Sequence, residues 1–160
     1  MSTIHPDAVI GHVHLKVSDL ERSERFYREA LGFEVTTRYG DSAVFMSAGG
    51  YHHHLGLNTW QSKGGPAAPA RSPGLFHFAI LYPDRAALGR AVQQVLDSGH
   101  ALDGAADHGV SEAVYLHDSD GNGIELYRDR PRDQWATGPD GGIEMVTEPL
   151  DVRALIEGAD

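Results

Sequence analysis

The order strand, helix, strand, strand, strand occurs twice in this 160-residue chain, and the repeat limits its fold more than any other feature. Residues 9–17, Val-Ile-Gly-His-Val-His-Leu-Lys-Val, alternate in polarity and are rich in β-branched side chains, which predicts a strand. Ser18 or Asp19 can cap a helix with the apolar stripe Leu20, Phe26, Tyr27 and Leu31, and Gly32 stands where a helix C-terminal glycine belongs. Three more strands follow: 33–39, 43–48 and the histidine-rich stretch Tyr51–Trp60, with Gly40-Asp41 and Gly49-Gly50 as turns. Residues 61–74, rich in Gly, Pro and Ala, read as a linker. The order then returns as a strand over 75–81, a helix from Pro83-Asp84 to about Ser98, and short strands near 101–108, 112–117 and 123–129. Repetition on this scale predicts two similar β-α-β-β-β modules, 9–60 and 75–130, packed side by side as one α+β domain over 1–160. The extension 131–160 reads as irregular, with a short helix at 149–157, and is expected to cover an edge.

Composition narrows the partners. A net charge of −10 argues against nucleic acid or an anionic membrane surface, which both need clustered Lys and Arg. No apolar run is long enough for a membrane-spanning helix, and residues 1–7 lack the pattern of a signal peptide. The absence of cysteine excludes disulfide and thiolate chemistry and fits a cytoplasmic location. Ten histidines are the one oddity, so any metal site must use nitrogen and oxygen ligands.

The repeat brings particular residues into equivalence. Each module opens on a histidine-bearing strand, with His12 and His77 at matching places 65 residues apart. The closing strands match as well: His54-Leu55-Gly56-Leu57 against Gly123-Ile124-Glu125-Leu126, which sets Gly56 opposite Glu125. Two histidines, one carboxylate and a corner left as glycine form a facial triad with open positions, a ligand set suited to non-haem Fe(II). His14 shares a face with His12 and is a rival ligand. Period-2 alternation puts His52, His54 and Gly56 on one face of the histidine strand and His53 on the other.

The stretch Gly11-His12-Val13-His14-Leu15-Lys16-Val17-Ser18-Asp19-Leu20, with Phe26-Tyr27 and Leu31-Gly32-Phe33, resembles the opening module of the vicinal oxygen chelate superfamily. That superfamily holds glyoxalase I, bleomycin and fosfomycin resistance proteins and type I extradiol dioxygenases. The resemblance covers about 9–130 and is greatest to the catechol 2,3-dioxygenase-like branch, in a single-domain form. It implies a metal-dependent enzyme that cleaves the ring of a catechol-like diol with dioxygen. It further implies His12, His77 and Glu125 as ligands, His54 as acid/base, Tyr115 as a hydrogen-bond donor to the substrate oxygen and His108 as a group that positions the substrate. Fe(II) is the metal implied, with Mn(II), Ni(II) or Zn(II) as alternatives. A homodimer is implied too, with ligands drawn from one chain or from both. The alternatives are a glyoxalase-type isomerase or lyase, against which Gly56 counts, and a non-catalytic protein that binds an aromatic ligand.

Overall fold

A computed structural model describes residues 3–69 and 71–159. The first module comprises β1 (Val13–Lys16), α1 (Leu20–Glu29), β2 (Glu34–Tyr39), β3 (Ala43–Ser47) and β4 (Leu55–Asn58). The second comprises β5 (His77–Leu81), α2 (Arg85–Asp97), β6 (Gly104–Asp107), β7 (Ser111–His117) and β8 (Gly123–Asp129). The extension adds a short strand, β9 (Glu148–Pro149), and a short helix, α3 (Val152–Glu157). Asp19 and Asp84 cap the two long helices, accepting from Arg22 N–H at 3.0 Å and Ala87 N–H at 2.7 Å. Among the described residues no helix is long and apolar enough to cross a membrane.

The sheets repeat each other. One runs β1-β4-β3-β2 and the other β5-β8-β7-β6-β9, so each module places its first strand parallel to its last. β1 is shorter than the expected 9–17 because its one partner, β4, begins only at Leu55. The histidine row likewise falls outside a strand: His52 and His53 lie in the bend before β4, after Gly49 and Gly50, whose φ angles of 65° and 76° turn the chain.

Both sheets turn one face into a single core. Leu15 and Val17 of the first module and Phe78, Val114, Leu116, Ile124 and Leu126 of the second belong to one buried cluster with Phe26, Tyr27, Leu88 and Val92 of the helices. Alternation therefore sends His14, Gly56, His77, Tyr115 and Glu125 to the faces directed away from that core.

A polar latch joins the modules. The Tyr27 hydroxyl, fully buried, donates to Asp118 Oδ2 at 2.7 Å across 91 positions of sequence. Asp118 also accepts from the N–H groups of Asp120 and Asn122 in the β7–β8 turn. Asp120 in turn accepts from Ser18 N–H at 3.2 Å and pairs with Arg22 at 2.7 Å, just ahead of and within the first turn of α1. Burial, and then the charge of Asp118, push the Tyr27 phenol well above the ordinary tyrosine range.

The register also explains Gly56. His14 pairs with Gly56 where the repeat pairs Ala79 with Glu125. A large residue beside a small one is exchanged for small beside large. A Cβ on Gly56 would stand 2.9 Å from the His14 ring. The corner expected to be vacant is filled by an imidazole.

Tyr27→Phe should cost about 1–2 kcal/mol in denaturant unfolding, the loss of one buried charge-assisted hydrogen bond. Because the folded-state pKa is raised, the native state holds this proton above pH ~10 while the unfolded state loses it, so wild-type stability should fall as pH rises through ~10 and the variant should lose less. Gly56→Ala should cost about 1–3 kcal/mol, because the new methyl must push the His14 ring off its partners; a chemical-shift change at His14 in NMR spectra would accompany it.

Candidate functional site

The outward face of the second sheet carries a connected polar group. His77 opens β5, Glu125 lies in the middle of β8, and Tyr115 faces Glu125 across the β7–β8 ladder. His77 Nε2 is 3.0 Å from Glu125 Oε2, the Tyr115 hydroxyl oxygen is 3.4 Å from Glu125 Oε1, and His108 Nε2 is 2.7 Å from the Tyr115 hydroxyl. Four of the residues singled out from sequence thus form one chain of contacts. Glu125 is only 14% exposed and His77 31%, so their meeting atoms are partly screened from water. Burial, and then the Glu125 carboxylate, push the Tyr115 phenol up to about 12, so it is protonated at neutral pH.

The outward face of the first sheet carries the other half. His14 sits between the rings of Phe45 and Trp60, each with its centroid 5.6 Å away. Its Nε2 is 2.9 Å from Asn58 Nδ2, and Asn58 Oδ1 accepts from Trp60 N–H, which fixes which end of the amide faces the histidine. His14 Nε2 is therefore already an acceptor. Burial, followed by neighbouring His12, lowers its pKa and keeps it neutral. His12 has no hydrogen-bond partner among the described residues, which separates the two rivals: His14 is engaged and His12 is available.

His53 does not face away as alternation suggested. Its ring lies 4.5 Å from His12 and 5.2 Å from Phe45, on the side of the site, because the bend before β4 breaks the period. Burial and the surrounding histidines, His12 first among them, lower its pKa. The strand reading concealed this residue; the paired glycines before it were the available signal for a break. His54 stacks on Tyr51 with a centroid distance of 4.8 Å, and its Nδ1 accepts from Ala48 N–H at 3.3 Å, which puts the ring proton on Nε2. His52 is exposed and bonds to His53 at 2.8 Å.

A groove of about 1040 Å³ runs between the modules, and of the polar group on the second sheet His77 lines it. Val9, Ile10, His12 and His54 line it from the first module, and Leu75, His77, Phe78 and Leu81 from the second. Among the described residues of one copy, no three histidine, aspartate or glutamate side chains converge to hold a metal ion. His77 and Glu125 meet, while His12 stands with the first sheet and packs on His53. The donor types suit a nitrogen- and oxygen-ligated metal, and a single copy brings two of the three together.

The chain is similar to known proteins in sequence and fold. The family model described as the Glyoxalase/Bleomycin resistance protein/Dioxygenase superfamily matches residues 9–126. A catechol-2,3-dioxygenase of Bacillus subtilis is 42% identical over 160 residues, covering 99% of this chain and 55% of its own length. A biphenyl-2,3-diol 1,2-dioxygenase of Rhodococcus globerulus is 29% identical over 121 residues, 75% of this chain and 63% of its own. The chain thus spans little more than half the length of these curated relatives. Among solved structures, a glyoxalase/dioxygenase from Nostoc punctiforme superposes with a TM-score of 0.64 at 21% identity, over 82% of this chain and 99% of that one. Lactoylglutathione lyase from Agrobacterium tumefaciens gives 0.60 at 24%, over 78% and 96%. Two sheets of repeated strand order, each led by a histidine-bearing strand, and a family match that spans both modules place the chain in the glyoxalase, bleomycin resistance protein and dioxygenase superfamily.

Proposed function

We propose that the protein is an extradiol-type dioxygenase that opens the ring of a catechol-like diol, with a divalent metal held by His12, His77 and Glu125. The observation that carries this reading is the meeting of His77 and Glu125 at 3.0 Å with Tyr115 and His108 ranged behind the carboxylate. The 42% identity to a catechol-2,3-dioxygenase supports it. Fe(II), when bound, would lower the pKa of a chelating diol and pass electrons from the diol's ring to dioxygen.

The chain's own residues contribute the rest. Glu125 gives the carboxylate that balances a cation on a face otherwise lined by His77, Tyr115 and His108. His54 turns its Nε2–H away from the Ala48 contact, as a proton donor bordering the groove. His53, packed on His12, is a second imidazole within reach of the same place. Tyr115 hydrogen-bonds a substrate oxygen, with His108 holding its hydroxyl. The apolar groove residues Leu75, Phe78, Val9 and Ile10 suit an aromatic ring.

The split ligand set belongs to a homodimer in this reading, with His12 of one copy meeting His77 and Glu125 of another. Three features support it. β1 and β5 each pair on one side only. The segments beside those edges expose Val9 (85%), Ile10 (94%) and Phe76 (88%). Open edges and large exposed apolar residues are surfaces that proteins normally cover.

Protein reconstituted anaerobically with Fe(II) should take up oxygen when given a catechol; no uptake across a panel of catechols would overturn the proposal. Glu125→Ala should abolish metal loading, whereas His54→Ala should retain the metal and lose about a hundredfold or more in kcat; full activity in His54→Ala would transfer the acid/base role to His53, which His53→Ala then tests. The shared site has its own test. His12→Ala and Glu125→Ala are each inactive alone, but when the two are unfolded together and refolded as a mixture, about a quarter of the sites pair two intact halves and activity should return to that level. A mixture that stays inactive would show that the ligands come from one chain.

A further inference from the structure

His108 stands in the turn between β6 and β7, where the C-terminal extension reaches it just before β9 joins the edge of the second sheet. Two bonds tie it to one residue there. Val146 N–H donates to the His108 carbonyl at 3.1 Å, and the Val146 carbonyl lies 2.9 Å from His108 Nδ1. The Val146 side chain also closes over Gly109, where a Cβ would come within 3.3 Å of it.

A carbonyl oxygen only accepts, so His108 Nδ1 carries a proton, and in the neutral ring Nε2 is left as an acceptor. The Tyr115 hydroxyl lies between two acceptors, His108 Nε2 at 2.7 Å and Glu125 Oε1 at 3.4 Å. It has one proton to give. Directed at Glu125, that proton would leave two lone pairs facing each other at 2.7 Å and would serve a contact at the weak limit of hydrogen bonding. Directed at His108, it makes a short bond and leaves the phenol oxygen's lone pairs toward Glu125.

We propose that Val146 is a positioning residue: its carbonyl holds His108 in the Nδ1–H tautomer, which draws the Tyr115 proton to His108 and presents the site with a Tyr115 lone pair. Tyr115 then receives a hydrogen bond from a hydroxyl of the bound ligand instead of donating one. The second statement rests on the dioxygenase reading for the identity of that ligand. The tautomer does not depend on it. In this way a segment remote from both modules' strand-and-helix repeat controls the direction of hydrogen bonding inside the site.

The test is the nitrogen NMR spectrum of the histidines in the full-length, metal-free protein, recorded near pH ~8 where an ordinary imidazole is neutral. His108 should be in the Nδ1–H form by about fivefold over the Nε2–H form, the ratio that one net hydrogen bond supplies. Tyr115→Phe should leave that tautomer unchanged, since Val146 sets it. A dominant Nε2–H form, a doubly protonated ring, or a switch to Nε2–H in Tyr115→Phe would overturn the proposal, the last by making Tyr115 the residue that decides. None of these outcomes depends on whether the protein turns over a catechol, so failure here is distinguishable from failure of the dioxygenase reading.

Discussion

Both sheets turn one face into a common apolar core, and the rest of the molecule follows from that sharing. Leu15, Val17 and Tyr27 of the first module are buried with Phe78, Leu116 and Ile124 of the second. Side chains alternate along a strand, so burying these residues sends His14, Gly56, His77, Tyr115 and Glu125 to the opposite faces. The hydrophobic effect has no direction of its own, but with a period of two it decides where the polar side chains of the paired strands point. The same packing keeps His12 with one sheet and the His77–Glu125 pair with the other.

A core of this kind tolerates sliding unless something polar fixes it, because apolar contacts are nearly interchangeable. The β7–β8 turn supplies that constraint. Asp118 takes the buried Tyr27 hydroxyl, and Asp120 takes Ser18 and Arg22 at the start of α1. Asp118 is itself 7% exposed, and two turn N–H groups compensate for the water it loses. The buried carboxylate is thus satisfied only when helix and turn are in register.

Within the site, small differences between the modules carry the chemistry. The repeat retains the backbone pairing but exchanges His14 beside Gly56 for Ala79 beside Glu125. Volume is conserved while charge is not, so one sheet presents a carboxylate and the other a neutral imidazole held among Phe45, Trp60 and Asn58. The extension adds what neither module contains: its edge strand completes the second sheet, and Val146 reaches His108.

Much of this was legible in the residues. The strand-helix-strand order, the helix caps Asp19 and Asp84 and the equivalence of His12 with His77 depend on local periodicity and short-range signals, which sequence encodes directly, whereas Tyr115 and His108 were singled out only through the family resemblance. The face of His53, the ring that fills the space at Gly56, the strand at Glu148–Pro149 and the separation of His12 from His77 and Glu125 were not legible there. Each of these depends on which distant surface a residue meets. Two glycines with positive φ bend the chain at His53, and a neighbouring strand's register places His14 over Gly56. Sequence by itself determined the two modules and the chemical types gathered on each. Tertiary structure decided which side chains meet, because burial of one common core, and not spacing along the chain, sets the directions in which they point.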